Sequence, residues 1–213
     1  MHVAEDLREA ARHLDEALRP ELAQGDWSIV ATPTDWSCRD TLDHIGNALC
    51  SYATSLANRF TERPRSRTRD GDATASPGEL LSTATSLAGV LAAVAEGAPP
   101  GRRAFHPAGM ADRDGFVAMG CDEVLVHGHD IAQAFGIGYD PSHDLCNRIV
   151  RRLFPWAPVD EHAPWELLLW ANGRQPLSDR PRRSRDWWWH CAPLDEWTGD
   201  PHDRSAMEPP GWR

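Results

Sequence analysis

The stretch GFVAMGCDEVLVHGHDIAQAFG, residues 115–136, reads as one long helix. An α-helix turns about 100° per residue. On that count Val117, Cys121, Val124, Ile131 and Phe135 gather near ~90° from Phe116 and form an apolar stripe. Asp112 or Asp114 opens the helix and Gly136 closes it. The same count sorts its polar residues. Glu123 and His127 lie one turn apart and only ~40° apart in rotation, along one edge of the stripe. Asp130 falls on the same side. Asp122 and His129 fall on the far face, where solvent is expected.

Working outward, three more long helices flank this one. Residues 4–22 place Leu7, Ala11, Leu14 and Leu18 at helical spacing. Ser37 is an N-cap, with Asp40 three residues on, and the stripe Leu42, Ile45, Leu49, Tyr52, Leu56 and Phe60 follows. Ser76, Pro77 and Glu79 open a helix that ends at Gly97. Between these, RPRSRTRDGDATASP (63–77) is a loop and GRRAFHPAG (101–109) a connector with a turn at Pro107–Gly109. A fifth helix spans 141–154. No strand alternation precedes residue 155, which predicts an all-α chain built on a helix bundle. The expected division is a bundle at 1–155 and an extension of mixed or irregular structure at 156–213, packed on it. Within the extension PWELLLWANGR is a short helix, RPRRSR a basic loop and DWWWHC a strand or an aromatic wedge.

Composition narrows the function. A net charge of −10 across 213 residues argues against nucleic acid and anionic membrane as partners. All 22 basic residues are arginine, which removes lysine Schiff-base chemistry and a standard P-loop. The five cysteines are scattered, without a C-x-x-C, and fit neither a zinc ribbon nor a disulfide framework. The N-terminal MHVAEDLREA lacks the apolar core of a signal peptide. The apolar run at 87–95 is too short for a bilayer. A cytoplasmic protein is expected, acting on a small molecule as a monomer or homodimer.

Glu123 and His127 can reach one metal ion together, whereas His127 and His129 cannot while the helix is regular. An i,i+4 hydrogen bond is the plain alternative for that pair. No H-E-x-x-H occurs, which excludes a standard zincin. On the second helix His44 sits at the margin of the apolar stripe. It is either a core-edge histidine with a satisfied hydrogen bond or the third member of an inward-facing carboxylate–histidine site. Two histidines and one carboxylate leave open positions for water or substrate on a divalent ion.

Two segments resemble the DinB-like metalloprotein superfamily. DWSCRDTLDHI (35–45) is similar to its W-[ST]-x-[RK]-D-x-x-x-H-[IL] segment, and CDEVLVHGHDIAQAFG (121–136) to its E-x-x-x-H-x-x-D-[IL]-A helix. The nearest branch is the actinobacterial, mycothiol-dependent, maleylpyruvate isomerase-like one. The resemblance covers roughly residues 4–154 and, more loosely, LLLWANGR and the tail. It implies a four-helix bundle holding a divalent metal, typically zinc, with nickel, iron or manganese as alternatives. It maps the ligand positions onto His44, Glu123 and His127, and gives Asp130 a supporting place behind them. It implies a metal-bound thiolate of mycothiol adding to an electrophile, for isomerisation or S-transfer.

Two alternatives stay open. One is a metalloenzyme on the same scaffold using metal-bound water, as a hydrolase or lyase. The other is a non-catalytic metal-binding protein. Among secondary features, Arg39 and Arg103 are candidates for an anionic substrate or the cofactor's polar arm. Cys38 lies at a helix N-terminus, where a thiolate is favoured, or is simply a small buried residue. His106 is expected in a loop or at the pocket mouth. Trp187, Trp188 and Trp189 cap a cavity or pack the extension.

Overall fold

In the computed structural model, residues 3–62, 73–184 and 188–199 are described. Most of them are helical. The helices are α1 (Val3–Leu18), α2 (Cys38–Asn58), α3 (Pro77–Gly97), α4 (Arg113–Phe135), α5 (His143–Leu153) and α6 (Pro164–Ala171). A two-stranded hairpin, β1 (Arg103–His106) and β2 (Gly109–Asp112), sits between α3 and α4.

The boundaries follow local chemistry. Pro20 tightens the end of α1 into a 3-10 turn, Arg19–Leu22. The Ser37 hydroxyl accepts the Asp40 amide and starts α2. Arg59, at φ 56°, stops α2, so Phe60 falls outside the helix that the apolar spacing predicts. Ser76 and Glu79 form a full capping box on α3. Asp112, rather than Asp114, caps α4, and Gly136 ends it at φ 69°. Ser142 caps α5, which starts two residues later than the Asp140–Pro141 signal suggests.

Two expectations need correcting. The connector after α3 is a β-hairpin, pairing Arg103 with Asp112 and His106 with Gly109. Four-residue strands are too short to show alternation in the sequence. The apolar run at 87–95 belongs to a longer helix. α3 has 21 residues and a window of mean hydropathy 1.4, long and apolar enough to cross a membrane. Its Leu80, Leu81, Ala84, Ala88, Leu91 and Ala92 are instead buried in the core.

The four long helices share that core. α1 packs on α3 and α4, and α2 on α3 and α4. Leu7, Leu14, Leu42, Ile45, Leu49, Leu81, Leu91, Phe116 and Val124 are fully buried there. Gly120 marks the tightest approach. A Cβ at that position would lie 2.9 Å from Leu91, 3.0 Å from Leu7 and 3.2 Å from Leu49, on three different helices.

α4 is buried nearly all round, from Gly115 to Val126 without a break. Its far face is covered by the later chain, which corrects the solvent face expected for Asp122. The cover includes α5, which packs on α4, and residues Asn172 and Trp189. Arg152 of α5 bonds the carbonyls of His190 and Cys191 as well as Asp112, pinning the chain near residue 190 to the start of α4. Apart from a 3-10 turn at Leu194–Glu196, the described residues following α6 are irregular, and Trp188 and Trp189 form no strand. Trp187 lies outside the described residues, as does most of the 63–77 loop.

Candidate metal centre

The sequence around residues 26–40 folds back to start α2. The Cys38 amide donates to Ile29 O, Arg39 N to Trp27 O, and Ala31 N to Trp36 O. This sets the Trp36 ring beside α2, with its centroid 4.7 Å from that of His44 and 6.2 Å from that of His127. His44 therefore sits between a covering indole and the core, its side chain 17% exposed.

Across from it, α4 presents Glu123 and His127. Glu123 Oε2 lies 3.2 Å from His44 Nε2 and 3.3 Å from His127 Nε2. The three ligand-type atoms lie within 4.8 Å of one another. A zinc–nitrogen bond of about 2.0–2.1 Å gives tetrahedral ligand–ligand edges of about 3.3 Å. The donor set and its spacing thus fit a divalent ion. Tyr52 Oη donates to Glu123 Oε1 at 2.7 Å, which leaves Oε2 as the oxygen facing both imidazoles.

Electrostatics follow from burial and neighbours. Burial pushes the Glu123 carboxyl up, but His44 and His127 together hold it well below the usual carboxylate range. Burial pulls His127 down, yet its bonds to Asp130 and Glu123 outweigh that and lift it to about 9. Burial and the Glu123 charge push the Tyr52 phenol well up, so it remains a donor. Asp130, fully buried, lies 3.2 Å from His127 Nδ1 through Oδ2. Burial raises its carboxyl, but His127 and Arg174 bring it below its ordinary value. This pattern turns Nδ1–H of His127 toward a carboxylate and leaves Nε2 toward the shared oxygen, an arrangement common behind metal-binding histidines.

His44, Glu123, His127 and Asp130 thus come together, and His129 stays apart. His129 instead meets Tyr139 and Trp165, at ring distances of 6.3 and 5.4 Å. Asp122 is buried on another face of α4, accepting from Asn172 Nδ2 at 2.8 Å and Trp189 Nε1 at 3.0 Å. Burial pushes its carboxyl up to about 7.

Other candidates change place. The Arg39 guanidinium bonds Ala75 O, at 3.2 and 3.1 Å. Arg103 bonds Met110 O and Glu196, so both arginines brace the chain. Cys38 is fully buried, and burial with the Asp26 charge pushes its thiol up to about 11, against a reactive thiolate. His106 is 3% exposed, on β1, between the rings of Tyr52, Phe116 and Trp189. It is neither a loop nor a pocket-mouth residue, because the hairpin turns it inward.

Sequence reasoning passed over Tyr52, Trp36 and Arg174 as site residues. Tyr52 lies on the apolar stripe of α2 and reads as core; only its hydroxyl separates it from a phenylalanine. A second group, Glu161, His162 and Asp179, also has metal-ligand spacing. There Arg180 bonds Glu161 at 2.8 Å and lies 3.4 Å from Asp179, so those carboxylates already hold a cation. Comparisons with protein-family models, with curated proteins and with solved structures find no match to this chain.

Proposed function

We propose that this chain is a DinB-like four-helix bundle and a divalent-metal-dependent enzyme. The ion, zinc if the resemblance holds and otherwise nickel, iron or manganese, would be held by His44 Nε2, His127 Nε2 and Glu123 Oε2. The observation that carries this reading is the convergence of those three atoms, at 3.2 and 3.3 Å about one oxygen, from two helices, with His44 and Glu123 79 residues apart. Two imidazole nitrogens and one carboxylate would leave coordination positions open, as in catalytic rather than structural sites.

A divalent ion in this position lowers the pKa of a thiol or water that joins it, supplying a nucleophile at neutral pH. The protein's own groups do the rest. Tyr52 fixes Glu123 so that a single oxygen serves the site. Asp130 accepts from His127 Nδ1–H, so that Nε2 is the nitrogen that would give up its proton to an ion. Trp36 covers both imidazoles and limits water. The small residual exposure of His44 and His127, 17% and 13%, is the side from which a substrate enters.

The resemblance of the two motifs supports a low-molecular-weight thiol, mycothiol, as the nucleophile. It would act in isomerisation or S-transfer on a small electrophile in the cytoplasm. Metal-bound water in a hydrolase or lyase shares every ligand and differs only in the nucleophile.

The test is elemental analysis of the purified protein, wild type beside His44→Ala. We expect near-stoichiometric divalent metal in the wild type and its loss in the variant, with the helical content kept. Added mycothiol then separates the nucleophiles: the thiol reading requires that it bind the metal-loaded protein. A wild type that carries no metal and takes none up overturns the proposal.

A further inference from the structure

Among the side chains that the segment after α6 sends back to α4, Arg174 reaches Asp130. α6 ends at Ala171, Asn172 follows, and Gly173 at φ 67° turns the backbone. Arg174, with its side chain 12% exposed, then reaches Asp130 with two parallel bonds. Nε donates to Oδ1 at 3.1 Å and Nη2 to Oδ2 at 2.7 Å, while Nη1 holds Asn172 O at 3.0 Å. Asp130 is fully buried, and its Oδ2 also faces His127 Nδ1 at 3.2 Å.

A buried carboxylate with no compensating charge is costly, and a bidentate guanidinium both neutralises it and fixes its plane. With the carboxylate plane fixed, the direction in which Asp130 receives the His127 Nδ1 proton is fixed too. The imidazole orientation and its tautomer follow.

We propose that Arg174 is a positioning residue of the metal centre: acting through Asp130, it orients His127 Nε2 toward Glu123 and His44. This rests on the metal reading above. It makes the segment after α5 part of the site. Holding that segment in place is the rival role for Arg174, but other bonds already do so. Asn172 and Trp189 bond Asp122, Arg152 bonds the Cys191 carbonyl, and Arg103 bonds Glu196.

The test compares full-length wild type, Arg174→Leu, Arg174→Lys and Arg103→Leu. The last removes a different anchor of the same segment, one that bonds Glu196 and the Met110 carbonyl. Zn2+ affinity is measured by competition with a chromophoric chelator, and the visible spectrum of the Co2+ form reports ligand geometry. We expect Arg174→Leu to bind Zn2+ about 10- to 100-fold more weakly, with an altered Co2+ spectrum. Arg174→Lys, which keeps the charge but cannot span both oxygens, recovers part of that loss. Arg103→Leu keeps wild-type affinity and spectrum. The inference fails if Arg174→Leu binds and absorbs like wild type, or if Arg103→Leu is impaired equally. If Arg174→Leu does not fold, a wild-type spectrum and affinity in Arg174→Lys have the same force. Failure of the underlying metal reading is separately visible, because the wild type itself then binds neither ion.

Discussion

Tyr52 and Glu123, 71 residues apart, are joined by a buried hydrogen bond of 2.7 Å from the phenol to Oε1. The bond divides the carboxylate into a held oxygen and an offered one. In Tyr52→Phe the aromatic contacts with Phe116 and His106 survive, but Oε1 is buried without its donor. Such an atom costs about 1–3 kcal/mol. We expect a loss of that size in denaturant unfolding of the metal-free protein, together with about tenfold weaker Zn2+ binding. Unchanged values in both would show that the phenol is a packing group only.

His106 predicts an acid-sensitive stability. Burial lowers its pKa from 6.5 to about 4, against the opposing pull of Glu123. The unfolded chain thus binds a proton between these values that the folded chain refuses. Stability falls as pH drops from 6.5 toward 4 and levels off below, with this residue contributing about 3 kcal/mol across the window. His106→Asn, which retains an acceptor for the Ala108 amide, flattens that part of the profile. Urea unfolding midpoints measured from pH 7 to 4 check it; an equal slope in both proteins would rule His106 out.

Two glycines in helix interiors predict opposite signs for one substitution. At Gly128 a Cβ would lie 2.3 Å from Tyr139 Oη and 2.8 Å from Leu14. The helix gain of about 1 kcal/mol is outweighed by overpacking, and Gly128→Ala destabilises by about 1–2 kcal/mol net. At Gly89 in α3 nothing lies within 4 Å, and Gly89→Ala stabilises by up to about 1 kcal/mol. Thermal unfolding of the two variants decides; shifts of the same sign would contradict this account.

The long helices were legible in the sequence because their start and stop signals are local. Ser37, the Ser76–Glu79 box and Gly136 each act within a turn. The pairing of Glu123 and His127 was equally legible, since rotation along one helix places both. His44 was legible as a candidate only, because its partner lies on another helix. What the sequence did not disclose was long-range. Nothing near Arg174 signals that Asp130 lies 44 residues back, and Asp122 reads as solvent-facing until Asn172 and Trp189 cover it. The hairpin at 103–112 escaped because its strands are shorter than the pattern that identifies a strand.

Asp122 and Glu123 are consecutive, about 100° apart around α4, and they serve different neighbours. One takes bonds from Asn172 and Trp189, the other faces His44 and Tyr52. A roll of α4 about its own axis would turn both by the same angle. The docked tail is therefore a rotational stop for the helix, and changes at Asn172 or Trp189 register as a change in the bearing of Glu123.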